Sequence, residues 1–204
     1  MYLKIPKFIK KLYPSFIWSF PEEKNGIFLT FDDGPEPSVT PWILDQLAKY
    51  NAKATFFCLG RNVERNPELY KRILDEGHSV GNHSYSHVKG WRVDLDDYID
   101  DIDYAANYVD SNLYRPPYAR IKTKQARVIN ERYVTIMWNV LSFDYNKKLS
   151  GRQCANHVLP YLDPGNIIVF HDSIKSHKNM QYALPLVLQA IYDKGLVCKS
   201  IRIK

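Results

Sequence analysis

The chain of 204 residues has few cysteines and no long apolar run. Cys58, Cys154 and Cys198 lie far apart, which argues against a disulfide framework and against a zinc knuckle. Cys58 ends an apolar run and Cys198 interrupts another, so we expect buried free thiols. No segment approaches the roughly 18 apolar residues that a membrane-spanning helix needs.

The first 20 residues also lack the apolar core, about 7–15 residues long, that secretory signal peptides contain. We therefore expect a cytoplasmic location. Acidic residues are absent before Glu22, whereas four lysines precede it. Contact with an anionic inner-membrane surface is thus an alternative for this stretch. The remaining charges are nearly balanced, so we do not expect nucleic-acid binding.

Apolar residues recur at helical spacing in the N-terminal stretch, namely Ile5, Phe8, Ile9, Leu12 and Phe16. Pro14 would break a longer helix there. We interpret residues 1–24 as a basic and aromatic arm that packs on one end of a single domain. The rest of the chain, residues 25–204, shows no repeat or linker and forms that domain.

Short apolar, β-branched or aromatic runs predict strands at 27–31, 54–59, 112–115, 134–141, 167–170 and 196–201. Helical patterns lie between them. One begins at Asn66-Pro67 and ends at Gly77, another begins at Ser150 with a capping-box pattern, a third runs towards Gly195, and an acidic one covers 94–109. Strands that alternate with helices predict a parallel sheet, in a barrel or a doubly wound fold.

Polar residues follow several of these predicted strands. Asp32-Asp33, Arg115 to Tyr118, Asp144 and His171-Asp172 each come at a strand's carboxyl end. A (β/α) barrel builds its active site from many such ends, whereas an open sheet uses chiefly one switch point. Four contributing strands favour the barrel.

Two local patterns suggest metal chemistry. His83 and His87 lie four residues apart, and on a helical turn they would share one face. With one carboxylate of the Asp32-Asp33 pair they would make a His₂Asp set, which leaves positions open for water and substrate. Spacing alone does not decide which aspartate binds the metal, because adjacent side chains of a strand point to opposite sides.

The segments TFDDGP, HSYSH, RPPY, WNVLSFDY and IIVFHD occur in that order. In sequence and order they resemble the motifs of polysaccharide deacetylases, the NodB-homology or carbohydrate esterase family 4 enzymes. The resemblance covers about residues 25–204. It implies a distorted (β/α) barrel of one domain and a metal-dependent hydrolase that removes acetyl groups from N-acetylated sugars, with Zn²⁺, Co²⁺ or Ni²⁺ as cofactor.

The resemblance also implies roles for single residues. Asp33, His83 and His87 would bind the metal, and Asp32 would be the general base, held ionised by Arg115. His171 would be the general acid that protonates the leaving amine, with Asp144 as its partner. The Tyr118 N–H would stabilise the oxyanion. The acetyl pocket and groove would be shaped by Thr30, Pro35, Trp138 and Val169.

Three positions depart from the family's pattern. Ala119 replaces a usual Gly, Tyr145 a common Trp and Val169 a frequent Leu. None of them removes a metal ligand, base or acid, so we expect an active enzyme on an N-acetylated carbohydrate, with no obligate protein partner. The alternatives are an O-acetyl esterase, a carbohydrate-binding pseudoenzyme, and a non-haem iron oxygenase that uses the same His₂Asp set.

Overall fold

The computed structural model describes residues 10, 11 and 13–203. The predictions for Ile5, Phe8, Ile9 and Leu12 therefore lie outside the described residues. The described part is an eight-stranded sheet with helices packed around it. No described helix combines the length and apolar character needed to cross a membrane.

Every pairing between the named strands is parallel, and the sheet order is β5-β4-β3-β2-β1-β7-β6, with β8 beside β1. The strands are β1 (Gly26–Asp32), β2 (Thr55–Cys58), β3 (Ser79–Asn82), β4 (Leu113–Tyr114), β5 (Val134–Thr135), β6 (Val140–Leu141), β7 (Ile167–His171) and β8 (Val197–Cys198).

Seven α-helices lie within the described residues. They are α1 (Thr40–Lys49), α2 (Gly60–Arg65), α3 (Pro67–Asp75), α4 (Leu95–Ala106), α5 (Thr123–Ile129), α6 (Gly151–Val158) and α7 (Ile174–Asp193). The local signals explain several of the helix starts. Pro67 opens α3, Asp94 caps α4 by accepting from Asp97 N, and Ser150 and Gln153 form the capping box of α6.

The sheet curls into an incomplete barrel. Its two end strands, β5 and β6, are separated in the chain by residues 136–139 only. A four-residue link spans at most about 15 Å, so the two edges of the sheet must approach each other. The fold is the predicted distorted (β/α) barrel, and that prediction is confirmed.

A short N-terminal segment lies between these edges. Ile17 N donates to Thr135 O and Met137 N donates to Ile17 O, at 2.9 and 2.7 Å. Further along, Phe20 N donates to Gly165 O, just before β7. Within this segment, the side chains of Phe16 and Trp18 are buried in the core. The segment thus bridges the residue that follows β5 and the residue that precedes β7.

Strand β1 occupies the centre of the sheet, and all seven of its residues are buried. Both faces of a central parallel strand are covered, so it shows a continuous apolar run and no alternation. Its register sets the site, because Asp32 pairs with His171 of β7 and with Phe57 of β2. Two polar strand ends are therefore neighbours.

Some secondary-structure predictions need correction. The run 134–141 is two strands, β5 and β6, since Ile136 to Asn139 cross from one sheet edge to the other. Strand β3 was not predicted, because Ser79–Asn82 is short and carries Gly81 and polar residues. The prediction of three buried free cysteines is confirmed.

Candidate metal and catalytic site

Three predicted metal ligands meet at the carboxyl edge of the sheet. Asp33 follows β1, His83 follows β3, and His87 lies in the loop after it. One ligand atom from each lies within 4.8 Å of the others. The two histidines do not share a helical turn, which corrects the prediction: Ser84 and His87 have φ values of 67° and 66°, so a loop returns His87 to the site.

Backbone contacts hold His83 in one tautomer. Its Nδ1 lies 2.7 Å from the carbonyl oxygen of Arg115. A carbonyl only accepts, so Nδ1 carries the proton and Nε2 presents its lone pair towards Asp33, 3.7 Å away. Burial lowers the pKa of His83 to about 4, so its imidazole is neutral at pH 7, as a metal ligand must be.

Asp33 supplies the carboxylate of this set. Its Oδ1 is buried, and no described residue donates a hydrogen bond to it, although His87 Nε2 is 3.1 Å away. Burial would raise the pKa of Asp33, but its contact with His87 and the nearby imidazoles of His171 and His83 outweigh burial and hold that pKa well below the usual value. A buried, ionised oxygen without a donor, facing the imidazole nitrogens of two histidines, fits a divalent transition metal.

Asp172, to which we assigned no role from the sequence, fixes the loop that carries Asp33. Its buried carboxylate accepts from Gly34 N at 2.9 Å and from the Thr40 hydroxyl at 2.8 Å. A side chain at Gly34 would collide with this carboxylate. The close approach requires glycine, and the cis peptide to Pro35 follows it.

Asp32 and Arg115 form a buried ion pair beside the metal ligands. Arg115 Nη1 donates to Asp32 Oδ1 at 2.6 Å, and the side chains are 0% and 5% exposed. Of the two carboxylate oxygens of Asp32, only Oδ1 has a hydrogen-bond partner among the described residues. Its Oδ2 is thus available to accept a proton from water in the cavity.

The guanidinium of Arg115 is fixed on every side. Nη1 also donates to the Thr30 hydroxyl, while Nε and Nη2 donate to the carbonyls of Ile136 and Met137 at 3.0 Å each. Its Cζ lies 4.0 Å from the centre of the Phe57 ring. A charge this deeply buried persists only with such a full set of partners.

His171 lies on the other side of Asp32, at the end of β7. Its Nδ1 is 2.8 Å from Asp144 Oδ1, and its backbone N–H donates to Asp144 Oδ2 at the same distance. Burial opposes charging of the ring, but the Asp144 carboxylate, with smaller contributions from Asp33 and Asp32, outweighs burial and raises the pKa of His171 to about 9. The imidazole is therefore protonated at neutral pH, and Nε2–H is its available donor.

A cavity of about 240 Å³ joins these groups. Of the four residues predicted to shape it, Trp138 lines it. Tyr118, predicted to stabilise the oxyanion, also lines it, and the centre of its ring lies 4.5 Å from that of His87. Thr30, Pro35 and Val169 lie buried beside the cavity and do not line it. Thr30 contributes instead through its hydroxyl, which accepts from Arg115 and donates to Ile168 O.

Three basic side chains around the cavity carry no motif in the sequence. They are Lys89, Arg120 and Lys175. Lys175 Nζ lies 3.1 Å from Asp33 Oδ2. They come from separate stretches of the chain, and only the folded barrel brings them together. The only trace of this cluster in the sequence is a general excess of positive charge, and composition does not show on which surface that charge lies.

The loop that follows Arg115 is strained at two consecutive residues. Tyr118 and Ala119 have φ values of 59° and 54°. Left-handed backbone costs a residue with a Cβ roughly 1–2 kcal/mol, whereas glycine adopts it freely. This explains why the related pattern has glycine where this chain has Ala119.

Comparison with known proteins supports the same interpretation. The family model described as "Polysaccharide deacetylase" matches residues 20–136. A peptidoglycan-N-acetylglucosamine deacetylase of Bacillus cereus is 36% identical over 194 residues, covering 89% of this chain and 68% of the relative. The peptidoglycan-N-acetylmuramic acid deacetylase PdaA of Bacillus subtilis is 30% identical, covering 93% of this chain and 80% of PdaA.

A solved structure shows the same architecture. The crystal structure of the Bc1960 peptidoglycan N-acetylglucosamine deacetylase aligns with a TM-score of 0.88 and 33% identity, covering 97% of this chain and 95% of that one. Both the sequence and the fold match along most of the chain. The chain therefore belongs to the polysaccharide deacetylase family.

Proposed function

We propose that this protein is a metal-dependent hydrolase that removes acetyl groups from an N-acetylated amino sugar or glycan, with Zn²⁺ as its metal. One observation carries the proposal: a His₂Asp set is flanked on adjacent strands by a carboxylate paired with arginine and a histidine paired with aspartate. Relatives named as peptidoglycan deacetylases support the same reaction class.

Asp33, His83 and His87 would hold the metal. When bound, such an ion polarises a carbonyl and lowers the pKa of water, to about 7 in favourable cases. The chain's own contribution here is to keep the imidazole of His83 neutral and the carboxylate of Asp33 ionised. Donor type and number also fit Co²⁺ and Ni²⁺.

Asp32 is the proposed general base. A base needs an oxygen that is free to accept a proton, and the buried guanidinium of Arg115 fixes the orientation of the Asp32 carboxylate. Arg115 donates a hydrogen bond to Oδ1 of Asp32. The other oxygen, Oδ2, therefore takes the proton of the water that attacks the acetyl carbonyl. The C–N bond then breaks as the tetrahedral adduct collapses to acetate.

His171 is the proposed general acid. The amine leaves only after its nitrogen gains a proton, and His171, with a pKa raised to about 9 by Asp144, carries one at neutral pH. Asp144 holds Nδ1, so Nε2–H donates into the cavity. At the cavity's edge, the Tyr118 N–H is the proposed donor to the oxyanion.

The test is acetate release from N-acetylglucosamine oligomers after removal of metal and addition of Zn²⁺. We expect activity to depend on the metal and to fall at least about 100-fold in Asp32→Asn. The matched control Asp163→Asn removes an exposed carboxylate outside the cavity and should leave the rate unchanged. Full activity of a correctly folded Asp32→Asn protein would refute the assignment of the base.

A further inference from the structure

A basic groove adjoins the catalytic cavity. It has a volume of about 1210 Å³ and lies between residues 147–153 and the first nine residues of α7. Five of its lining residues are basic and none is acidic: Lys147, Lys148, Arg152, Lys175 and Lys178. Lys175 also lines the catalytic cavity, so its side chain lies at the border between the two spaces.

Most of these charges are unpaired. Lys147, Lys148, Arg152 and Lys178 are exposed, and none forms an ion pair with any described residue. Elsewhere on the surface, Lys71, Arg72, Arg132 and Lys199 each pair with a carboxylate. A concave surface lined with one sign of charge concentrates ligands of the opposite sign.

The walls of the groove are held in place. Asn179, which is 7% exposed, donates through Nδ2 to the carbonyls of Asp144 and Asn146 at 2.9 and 3.3 Å. These bonds tie the loop carrying two of the lysines to α7. At the start of α6, a Cβ on Gly151 would lie 2.5 Å from the Cβ of Tyr182, so α6 and α7 approach each other closely there.

The cavity itself continues the same charge pattern. Lys89 Nζ lies 4.8 Å from the centre of the Tyr118 ring, and Arg120 Cζ lies 4.9 Å from that of Trp91. Neither cation pairs with a carboxylate of the described residues. Basic side chains therefore line the catalytic cavity as well as the groove.

Resting on the deacetylase function proposed above, we propose that the substrate is a polyanionic N-acetylated glycan whose carboxylates or phosphates lie along this groove while one acetamido group occupies the cavity. The exposed ring of Tyr182 offers an apolar face for a sugar ring. An anionic membrane is the less suitable occupant, because a flat bilayer cannot follow a concave path into the cavity.

The experiment compares three oligomers of equal length. One is neutral N-acetylglucosamine, one alternates N-acetylglucosamine with glucuronate, and one joins N-acetylglucosamine units by phosphodiesters. Binding and acetate release are measured for the wild type and for the triple variant Lys148→Ala, Arg152→Ala, Lys178→Ala. The control, Lys24→Ala, Lys124→Ala, Arg127→Ala, removes the same charge from exposed positions outside the groove.

We expect the triple variant to raise KM for at least one charged oligomer about tenfold at low salt, with kcat unchanged. The neutral oligomer and the control variant should change less than twofold. Near 1 M salt, where the screening length is about 3 Å, the difference should disappear. Whichever charged oligomer responds identifies the anion as carboxylate or phosphate.

Other results would overturn the inference. Equal turnover of all oligomers by wild type and triple variant would refute the groove and leave the deacetylase function standing. Groove-dependent binding with no acetate release from any oligomer would refute the deacetylase function instead. Loss of binding to phosphatidylglycerol vesicles in the triple variant, without any effect on the glycans, would assign the charge to a membrane.

Discussion

Replacing Asp144 with asparagine should remove the positive charge of His171 while keeping the shape of the site. Asp144 is fully buried, and both of its carboxylate oxygens contact His171. Burial is already the largest single influence on the imidazole, and without this carboxylate it lowers the pKa of His171. The acid of the proposed reaction would then be neutral at the pH where it should donate.

The size of the effect follows from the pKa values. With a pKa of about 9, roughly 90% of His171 is imidazolium at pH 8. At the ordinary value of 6.5 the fraction is about 3%, which predicts a loss of about 30-fold in kcat. At pH 6 most of the imidazole is protonated in both proteins, so the loss from charge alone should be less than about twofold.

The assay is the pH dependence of kcat for acetate release by wild type and Asp144→Asn. The basic limb should move from about pH 9 to pH 6.5 or below. Stability gives a second measurement. Because the pKa of His171 is higher in the folded than in the unfolded protein, its protonation stabilises the fold below pH 6.5. This stabilisation, roughly 3 kcal/mol, is lost as the pH rises through about 9, and we expect it in the wild type only. A basic limb that does not move would refute the reasoning.

Three further predictions concern separate parts of the site. Arg115→Met should destabilise the fold by about 3–5 kcal/mol in urea unfolding, because it leaves the buried carboxylate of Asp32 without its cation; a loss below about 1 kcal/mol would contradict this. Ala119→Gly should stabilise the fold by about 1 kcal/mol with kcat unchanged, because its φ is 54°; unchanged or lower stability would argue against strain there. His87→Ala should weaken Zn²⁺ binding at least about 100-fold in a chelator competition assay, whereas His177→Ala should not, and equal affinities would exclude His87 as a ligand.

The parallel-strand pattern was sufficient to predict where the site lies. Strand β1 is a continuous apolar run that ends in two carboxylates, and β7 is a second one that ends in His171. Parallel strands place their carboxyl ends at one edge, so neighbouring strands must bring such residues together. The register between Asp32 and His171 is a finding of the structure, since periodicity alone does not specify which strands are neighbours.

Short polar segments were harder to assign. Strand β3 contains Gly81, where a Cβ would lie 2.5 Å from the Phe57 ring, so glycine here reflects packing between strands. The spacing of His83 and His87 suggested a helical turn, but positive φ at Ser84 and His87 produces the same convergence in a loop. Residue type does not reveal such φ values when the residue is not glycine.

Arg115 contacts both a proposed metal ligand and the proposed general base. Its carbonyl fixes the ring of His83, and its side chain fixes Asp32. A shift in the backbone after β4 would consequently disturb one contact of the proposed metal ligand and one contact of the proposed base together. Engineering that trims the Arg115 side chain should weaken the fold and disturb Asp32 but leave the carbonyl contact to His83 in place, whereas an insertion beside it should disturb both contacts at once.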